Sequence, residues 1–246
     1  MEMRKIGVIP SRYGSTRFPA KPLADICGKP MVWYVYQQAL KANLDEVYVA
    51  TDDQRIMDVC NELGIQALMT SNKHMTPNDR VHEVSTLIEG DIFVCINGDE
   101  PLIEPAVINA SLPEENEDIT MYYSNVITTI KNPVEVVDPT NIKAVVNEKG
   151  DALWASRNPI PYPKGNMDFS YKKIVGVAAF SKDALEYYVD TPRSEIEKTE
   201  ELDLYRFLVN HRIVHLKEID CSTLSVDTPK DLEHVRDVVK NMLGEK

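Results

Sequence analysis

Short apolar segments alternate with helical patterns along the first half of this chain. The apolar runs cover 6–9, 47–50, 66–69 and 92–96. Stretches with helical spacing fall between them, at 31–42, 54–63 and 80–89. This alternation predicts an α/β fold with a mixed, mostly parallel sheet and helices on both faces. Parallel strands end at a common edge of their sheet, and ligands bind at that edge.

The second half of the chain has a less regular pattern. Strand-like segments cover 119–130, 142–147, 152–156, 175–180 and 213–219. Helical spacing covers 197–209 and 229–242, and Thr228 is predicted to cap the second of these helices. Prolines at 159, 161 and 163 exclude regular helix between the strands. We interpret residues 1–246 as one domain with an inserted arm around 130–180.

Composition excludes several classes of function. The 246 residues carry a formal net charge of −12, which disfavours binding to nucleic acid or to an anionic membrane. The four cysteines are widely spaced without a CxxC pair, so buried thiols are expected rather than a zinc site or disulfides. No apolar run is long enough to span a membrane, and no signal peptide is apparent, so we expect a cytoplasmic protein.

A basic loop follows the first predicted strand. Residues 10–23 read Pro-Ser-Arg-Tyr-Gly-Ser-Thr-Arg-Phe-Pro-Ala-Lys-Pro-Leu, and place Arg12, Arg17 and Lys21 among small residues such as Gly14 and Ser15. Residues 1–30 hold six basic side chains against two acidic ones, although the whole chain is acidic. Backbone amides and cationic side chains together suit a polyphosphate ligand. The alternative is a solvated basic loop.

Two aspartates occupy similar places, one after a predicted strand and one before a predicted helix. Asp99 follows Gly98 at the end of the run 92–96, and Asp227 follows Val226 just before a predicted helix. Two carboxylates at converging strand ends, near a basic phosphate loop, fit a magnesium ion shared with substrate phosphates. Each aspartate alone is equally well explained as a helix cap or turn residue.

Other polar residues point less clearly to a role. Thr51 and Asp52 follow the second strand, where Asp52 either contacts a nucleotide or sugar hydroxyl or caps the next helix. The chain has no HExxH pair and no G-x-S-x-G elbow, so the sequence does not indicate a zincin or an α/β-hydrolase.

Three of these segments together resemble the sugar-acid cytidylyltransferases, in particular the 3-deoxy-manno-octulosonate (Kdo) cytidylyltransferase family. They are the loop 10–23, the turn Asn97-Gly98-Asp99-Glu100-Pro101 and the turn Val226-Asp227-Thr228-Pro229. The resemblance runs in order from about residue 5 to residue 237. It implies a Rossmann-like, nucleotide-diphospho-sugar transferase-like fold with a dimerisation arm, and a homodimer. It also implies transfer of a cytidylyl group from CTP to a small acidic sugar, with Mg²⁺ as cofactor, in lipopolysaccharide biosynthesis.

The resemblance also implies roles for individual residues. Arg12, Lys21, Asp99 and Asp227 would be catalytic, and Asp99 and Asp227 would hold Mg²⁺. Arg157 would bind the sugar carboxylate, and Asp203 aligns best with a sugar-contacting pair. The nucleotide-binding set would be Pro10, Ser11, Arg12, Gly14, Ser15, Arg17, Lys21, Thr51, Asp52, Asn78, Arg80, Asn97, Gly98 and Asp99.

The chain departs from the family pattern at several positions. Thr76-Pro77-Asn78 replaces a Ser-Gly-Thr segment before Asp79-Arg80, and a proline cannot supply a backbone donor. The strand 174–178 lacks the His and Tyr that the family places in a sugar-facing strand. A different acceptor, such as a nonulosonic acid, is therefore one alternative. A glycosyltransferase that uses a nucleotide sugar and a nucleotide sensor without turnover are the others.

Overall fold

A computed structural model describes residues 3–14, 18–222 and 224–244. Its strands, in chain order, are β1 (Lys5–Ser11), β2 (Asp25–Ile26), β3 (Lys29–Pro30), β4 (Glu46–Thr51), β5 (Ala67–Met69), β6 (Ile92–Ile96), β7 (Tyr123–Thr129), β8 (Lys143–Val146), β9 (Ala152–Ser156), β10 (Lys172–Ser181) and β11 (His215–Glu218). Its α-helices are α1 (Met31–Ala39), α2 (Gln54–Glu62), α3 (Pro77–Leu87), α4 (Pro105–Ala110), α5 (Pro133–Val137), α6 (Lys182–Asp190), α7 (Glu195–Glu200), α8 (Tyr205–Leu208) and α9 (Pro229–Leu243).

The chain forms two compact units. The first contains residues 1–109 and 222–246, and the second contains residues 110–221. This division differs from the predicted single domain with an arm around 130–180. The domain organisation stays a prediction.

The first unit contains four parallel strands in the order β6-β1-β4-β5. The central strand β1 pairs on both sides, and Val8 is in register with Tyr48 of β4 and with Cys95 of β6. All five residues of β6 are buried, as expected for a strand that is covered on both faces. The strands predicted at 6–9, 47–50, 66–69 and 92–96 are therefore present.

Helix α9 returns to the first unit and completes a hydrophobic cluster there. Its apolar face, with Leu232, Val235 and Val239, packs with Ile26 and Met31. Thr228 caps the helix through its hydroxyl, which accepts a hydrogen bond from the Asp231 amide, as predicted. Burial of this face fixes the start of the helix at Pro229, with the cap Thr228 directly after Asp227.

Helix α3 begins three residues earlier than its periodicity indicated. Thr76 is the N-cap and forms a capping box with Asp79, and Pro77 occupies the first helical position. Proline is favourable there because the first N–H groups of a helix have no partner within it. The Thr-Pro-Asn sequence is thus explained locally as a helix start.

The second unit has a mixed set of strand pairings. Strand β7 pairs in parallel with β11 and antiparallel with β10, and β8 pairs antiparallel with both β10 and β9. The β7–β10 register shifts between Ile174 and Ala178. Such a shift marks extra residues on one strand, which bend it locally.

Two predicted elements in the second unit were wrong in extent. The strand expected at 119–130 begins only at Tyr123, because a turn with Met121 at a φ of 61° precedes it. The helix expected at 197–209 is two short helices, α7 and α8, separated at Glu201, whose φ of 53° ends α7. A left-handed residue interrupts the hydrogen-bond pattern that a continuous helix requires.

The predicted α/β fold class with a mixed, mostly parallel sheet is confirmed. Across the described ranges, no helix is long and apolar enough to cross a membrane.

Candidate active site

A cavity of about 330 Å³ lies in the first unit, where β1 and β6 end. Pro10 and Arg12 come from the end of β1, and Asn97, Gly98 and Asp99 come from the turn after β6. Three further predicted residues line it, namely Lys21, Arg80 and Asp227. The volume is in the range of small-molecule sites in proteins. The structure therefore brings together residues from five separate parts of the sequence.

Lys21 lies between the two candidate metal ligands. Its Nζ atom is 2.9 Å from Asp99 Oδ2, 3.5 Å from Asp227 Oδ1 and 2.9 Å from the carbonyl oxygen of Val226. All of these side chains are partly buried, with between 18% and 34% of their surface exposed. Partial burial strengthens the attraction between the ammonium group and the two carboxylates.

Local backbone structure fixes this arrangement. Lys21 opens a short 3₁₀ turn, Lys21–Leu23, after Ala20, which has a left-handed φ of 57°. The Val226 amide donates to the Asp99 carbonyl oxygen at 2.9 Å, so the two acidic turns are joined through their backbones. The Asp227 amide donates to Asp231 Oδ2 at 3.1 Å within the first turn of α9.

The oxygen atoms around Lys21 Nζ suit a small hard cation. Magnesium prefers carboxylate, carbonyl and water oxygens, and the ammonium group shows that two carboxylates and a carbonyl converge on one cation. Within the described residues, no cluster of three or more His, Cys, Asp or Glu side chains forms a complete metal cage. A magnesium ion held by Asp99 and Asp227 would take its other ligands from water and phosphate, as is usual for this ion.

Gly98 allows the turn after β6 to approach β1 closely. A Cβ atom at this position would lie 3.2 Å from the Pro10 carbonyl oxygen and 3.6 Å from Ser11 Oγ. The position therefore favours glycine, because any side chain would crowd the end of β1. This close approach places Asp99 beside the basic loop.

Arg12 is exposed and lines the cavity, and it makes no hydrogen bond or ion pair with another described residue. Its guanidinium is thus available to an anionic ligand. Gly14 is exposed, and a Cβ atom at this position would meet no described atom within 4 Å. Ser15 and Arg17, predicted to contact the triphosphate, lie outside the described residues.

Arg80 is held by Asp52, which was expected to contact a nucleotide directly, and by Thr70. Arg80 is 4% exposed, and its guanidinium donates to Asp52 Oδ2 at 2.8 Å and also to Thr70 Oγ1. Asp52 does not cap α2, since Asp53 does so by accepting from the Arg55 amide. The Thr51 carbonyl oxygen accepts from the Thr70 amide at 2.7 Å.

Several members of the predicted nucleotide set do not line the cavity. They are Ser11, Gly14, Thr51, Asp52 and Asn78. Ser11, Thr51 and Asn78 are buried, and Ser11 Oγ donates to the Ile9 carbonyl oxygen at 3.3 Å. In this structure Ser11 and Thr51 support the ends of β1 and β4, and Asn78 supports the start of α3.

Five lining residues were absent from the predicted site set, namely Pro22, His74, Met75, Thr76 and Pro77. His74 Nε2 is hydrogen-bonded to Glu83 of α3, which also accepts from the Ser71 amide at 2.8 Å. Burial opposes ionisation of Glu83, but the hydrogen bonds from His74 and Ser71 outweigh it and lower the pKa of this carboxyl group. The segment 74–77 comes shortly before the Asp79-Arg80 pair, and this position was the sequence signal that could have identified it.

The predicted sugar contacts belong to the second unit. Arg157 follows β9, and its Nε donates to the Glu200 carbonyl oxygen at 2.7 Å while one terminal nitrogen donates to the Pro139 carbonyl oxygen at 3.0 Å. The Arg157 amide also donates to the Glu200 carboxylate at 3.0 Å. Asp203 lies between α7 and α8, and its carbonyl oxygen accepts from the Arg206 amide.

A cytidylyltransferase family model matches residues 6–219 of the chain. Among curated proteins, the chain is 39% identical to 3-deoxy-manno-octulosonate cytidylyltransferase of Escherichia coli, over 97% of each protein. It is 37% identical to the enzyme of the same name from Fusobacterium nucleatum, over 97% of this chain and 98% of that protein.

Solved structures agree with these relatives. A CMP:2-keto-3-deoxy-manno-octonic acid synthetase, solved in complex with CTP, superposes with a TM-score of 0.91 at 38% identity, over 97% of this chain and 99% of that one. An inositol-1-phosphate CTP transferase from T. maritima has a TM-score of 0.67 at 17% identity, over 97% of this chain and 96% of that one, and shows the shared fold. With a family model covering most of its length and full-length relatives well above 30% identity, the chain belongs to the cytidylyltransferase family and is a nucleotidyltransferase.

Proposed function

We propose that this enzyme transfers a cytidylyl group from CTP to 3-deoxy-manno-octulosonate (Kdo), forming CMP-Kdo and pyrophosphate. Full-length relatives at 36–39% identity bear the name of this activity. The structure with a TM-score of 0.91 was solved with CTP bound. CTP and Kdo are therefore the substrates that we assign to the cavity of the first unit and to the residues around Arg157.

The observation that carries this proposal is the position of Lys21 between Asp99 and Asp227. A cation site beside a basic loop is what a nucleoside triphosphate requires, because several negative oxygens must be neutralised together. The cavity offers both charges, with Arg12 and Lys21 as cations and the two aspartates as ligands for a metal.

In the reaction, the acceptor hydroxyl loses its proton to solvent and its oxygen bonds to the α-phosphorus of CTP. The bond between the α-phosphorus and the oxygen that bridges to the β-phosphorus breaks, and pyrophosphate leaves with that oxygen. Magnesium, when bound, would neutralise negative charge on the phosphate oxygens. Arg12 and Lys21 would orient the triphosphate and stabilise the departing pyrophosphate. The chain's contribution is alignment and charge stabilisation, with no covalent intermediate on the protein.

Arg157 is the group that we assign to the acceptor carboxylate. The Glu200 and Pro139 carbonyl oxygens hold its guanidinium in one orientation. A guanidinium held in this way can bind a carboxylate with little loss of side-chain freedom.

A related sugar acid is the second candidate acceptor. The strand segment 174–178 reads Ile-Val-Gly-Val-Ala and offers no polar side chain to a sugar hydroxyl. An acceptor with fewer hydroxyl groups, or with an apolar substituent, would suit this apolar segment better than an acceptor rich in hydroxyl groups would.

The remaining assignments rest on the family relationship. We assign Mg²⁺ as the cofactor, a homodimer as the working form and the cytoplasm as the location. The product would serve lipopolysaccharide assembly. Equilibrium sedimentation tests the dimer, and loss of turnover on chelation with recovery on added Mg²⁺ tests the cofactor.

The test of function is pyrophosphate release from CTP and Kdo, with the CMP-sugar identified by mass spectrometry. The same assay is run with UTP, ATP and TTP, and with a nonulosonic acid as alternative acceptor. Release with CTP and Kdo supports the assignment. Faster release with the nonulosonic acid moves it to the second candidate. Turnover only with a nucleotide-sugar donor would contradict it in favour of a glycosyltransferase.

A further inference from the structure

A stacked pair outside the cavity connects the basic loop to helix α2. The guanidinium carbon of Arg55 lies 3.3 Å from the centre of the Tyr13 ring. Tyr13 is the neighbour of Arg12, and it is half-buried. This contact joins the loop after β1 to the helix that follows β4, next to the end of the parallel sheet.

Arg55 is itself held in place on α2. Its Nε donates to Asp53 Oδ1 at 2.8 Å, and one terminal nitrogen donates to Asp53 Oδ2 at 2.6 Å. Asp53 Oδ1 also accepts from the Arg55 amide and caps the helix, while the Asp53 amide donates to Thr51 Oγ1 at 3.3 Å. The bidentate pair with Asp53 fixes one edge of the guanidinium, which restrains the plane that lies over the ring.

Helix α2 gives this arrangement a rigid base. Ile56 and Cys60 on its inner face are fully buried. Arg55 lies one residue before Ile56, so the guanidinium projects from a turn of helix that cannot shift without disturbing the core.

The Tyr13 backbone closes the neck of the loop. The Ala20 amide donates to the Tyr13 carbonyl oxygen at 3.0 Å, and Lys21 follows Ala20 directly. Two of the cations that line the cavity, Arg12 and Lys21, are therefore each adjacent to one end of this hydrogen bond. A displacement of the Tyr13 backbone would therefore disturb the attachment of both residues.

We propose that Tyr13 and Arg55 are positioning residues that hold the neck of the basic loop, and so set the places of Arg12 and Lys21 for a nucleoside triphosphate. This inference rests on the proposed function for its ligand. Neither side chain lines the cavity. A planar guanidinium stacked on an aromatic face is a favourable contact even at a surface.

The first test measures CTP binding by calorimetry in the presence of Mg²⁺. We expect Tyr13→Ala and Arg55→Ala each to weaken CTP binding about tenfold, while Tyr13→Phe, which keeps the ring, binds as the wild type does. The double variant Tyr13→Ala/Arg55→Ala should bind within about twofold of either single variant, because both remove the same contact. Unchanged binding in both single alanine variants, or multiplied losses in the double variant, would overturn the proposal.

Kinetics separates positioning from a general loss of structure. The alanine variants should raise the KM for CTP about tenfold with kcat within about twofold of wild type, because the loop still reaches its place when nucleotide is saturating. An equal fall in kcat with no change in KM would contradict the inference.

A second test needs no nucleotide and separates this inference from the proposed function. Hydrogen exchange at the Ala20 amide should be about tenfold faster in Tyr13→Ala and Arg55→Ala than in Tyr13→Phe, since the bond to the Tyr13 carbonyl opens more often. Equal exchange rates would overturn the inference. If wild-type protein bound no CTP while the alanine variants still exchanged faster than Tyr13→Phe, the proposed function would be refuted. The role of Tyr13 and Arg55 in holding the neck of the loop would still be established.

Discussion

At the residue scale, the ammonium group of Lys21 occupies the position between Asp99 and Asp227 that a metal ion would share. Its distances of 2.9 and 3.5 Å to the two carboxylates show that the protein itself offsets part of their negative charge. Binding of a metal ion would have to compete with this ammonium group. The lysine would then be released toward the phosphates, where its charge is needed.

Replacement of Lys21 by methionine tests this competition. We expect Lys21→Met to bind Mg²⁺ more tightly in the absence of nucleotide, because the competing charge is gone. Turnover should fall by about 10²-fold or more, because a cation near the phosphates is lost. Calorimetric titration with Mg²⁺ and steady-state pyrophosphate release measure the two effects. Weaker Mg²⁺ binding in the variant would contradict the competition.

The buried Arg80–Asp52 pair supports the site through stability. Arg80 is 4% exposed, and replacement of Asp52 by asparagine would leave its guanidinium without a charged partner. We expect the free energy of unfolding to fall by about 2 kcal/mol, measured by urea denaturation. Asp58→Asn, at an exposed position on α2, is the control and should change it by less than about 0.5 kcal/mol. Equal effects of the two substitutions would mean that the pair is not a structural support.

At the scale of elements, the start of α9 fixes Asp227. Thr228 caps the helix and Asp231 completes the capping box. Thr228→Ala should therefore lower the free energy of unfolding by about 1 kcal/mol, and Lys230→Ala, an exposed change in the same turn, should not. Urea unfolding of both variants measures the difference. An unchanged midpoint and slope for Thr228→Ala would rule out the cap as a source of stability.

The same capping box gives a pH dependence. Burial opposes ionisation of Asp231, but its hydrogen bonds with Thr228 and the Asp227 amide outweigh that and lower its pKa. A lowered folded-state pKa stabilises the fold above the unfolded pKa of about 4, and this contribution is lost as the pH falls through the folded value. The stability difference between wild type and Asp231→Asn should thus be present at pH 7 and shrink steadily below about pH 4. A difference that grows on acidification would reverse the sign of this linkage.

The elements also show where sequence patterns are sufficient. The four parallel strands and the Thr228 cap were predictable, because apolar runs and a Thr-Pro helix start act locally. The break at Glu201 was not, because glutamate carries no preference for a left-handed φ. Asp53 rather than Asp52 caps α2, as the predicted helix start at residue 54 already implied, because the N-cap directly precedes the first helical residue.

At the scale of the whole molecule, the candidate site is built from segments that lie far apart in the sequence. The sequence predicted that the basic loop and the two aspartates would converge at strand ends. Asp99 does follow β6, but Asp227 lies directly before the N-cap of α9 and is joined to the Asp99 turn through the Val226 amide. The sequence did not predict the ion pairs of Lys21 with both aspartates or the place of His74 on the cavity, because these depend on side-chain packing. The net charge of −12 makes the local cations more significant, since an anionic substrate has few other attractive regions.

The most direct test of the account is the rate of pyrophosphate release from CTP and Kdo by Asp227→Asn at saturating Mg²⁺. The substitution keeps the size of the side chain and removes the charge that would hold the metal ion. We predict a fall in kcat of about 10²–10³-fold, with an unchanged urea midpoint. Asp190→Asn, an exposed change in the second unit, is the control. A rate for Asp227→Asn close to that of wild type would contradict the central role given to the two aspartates.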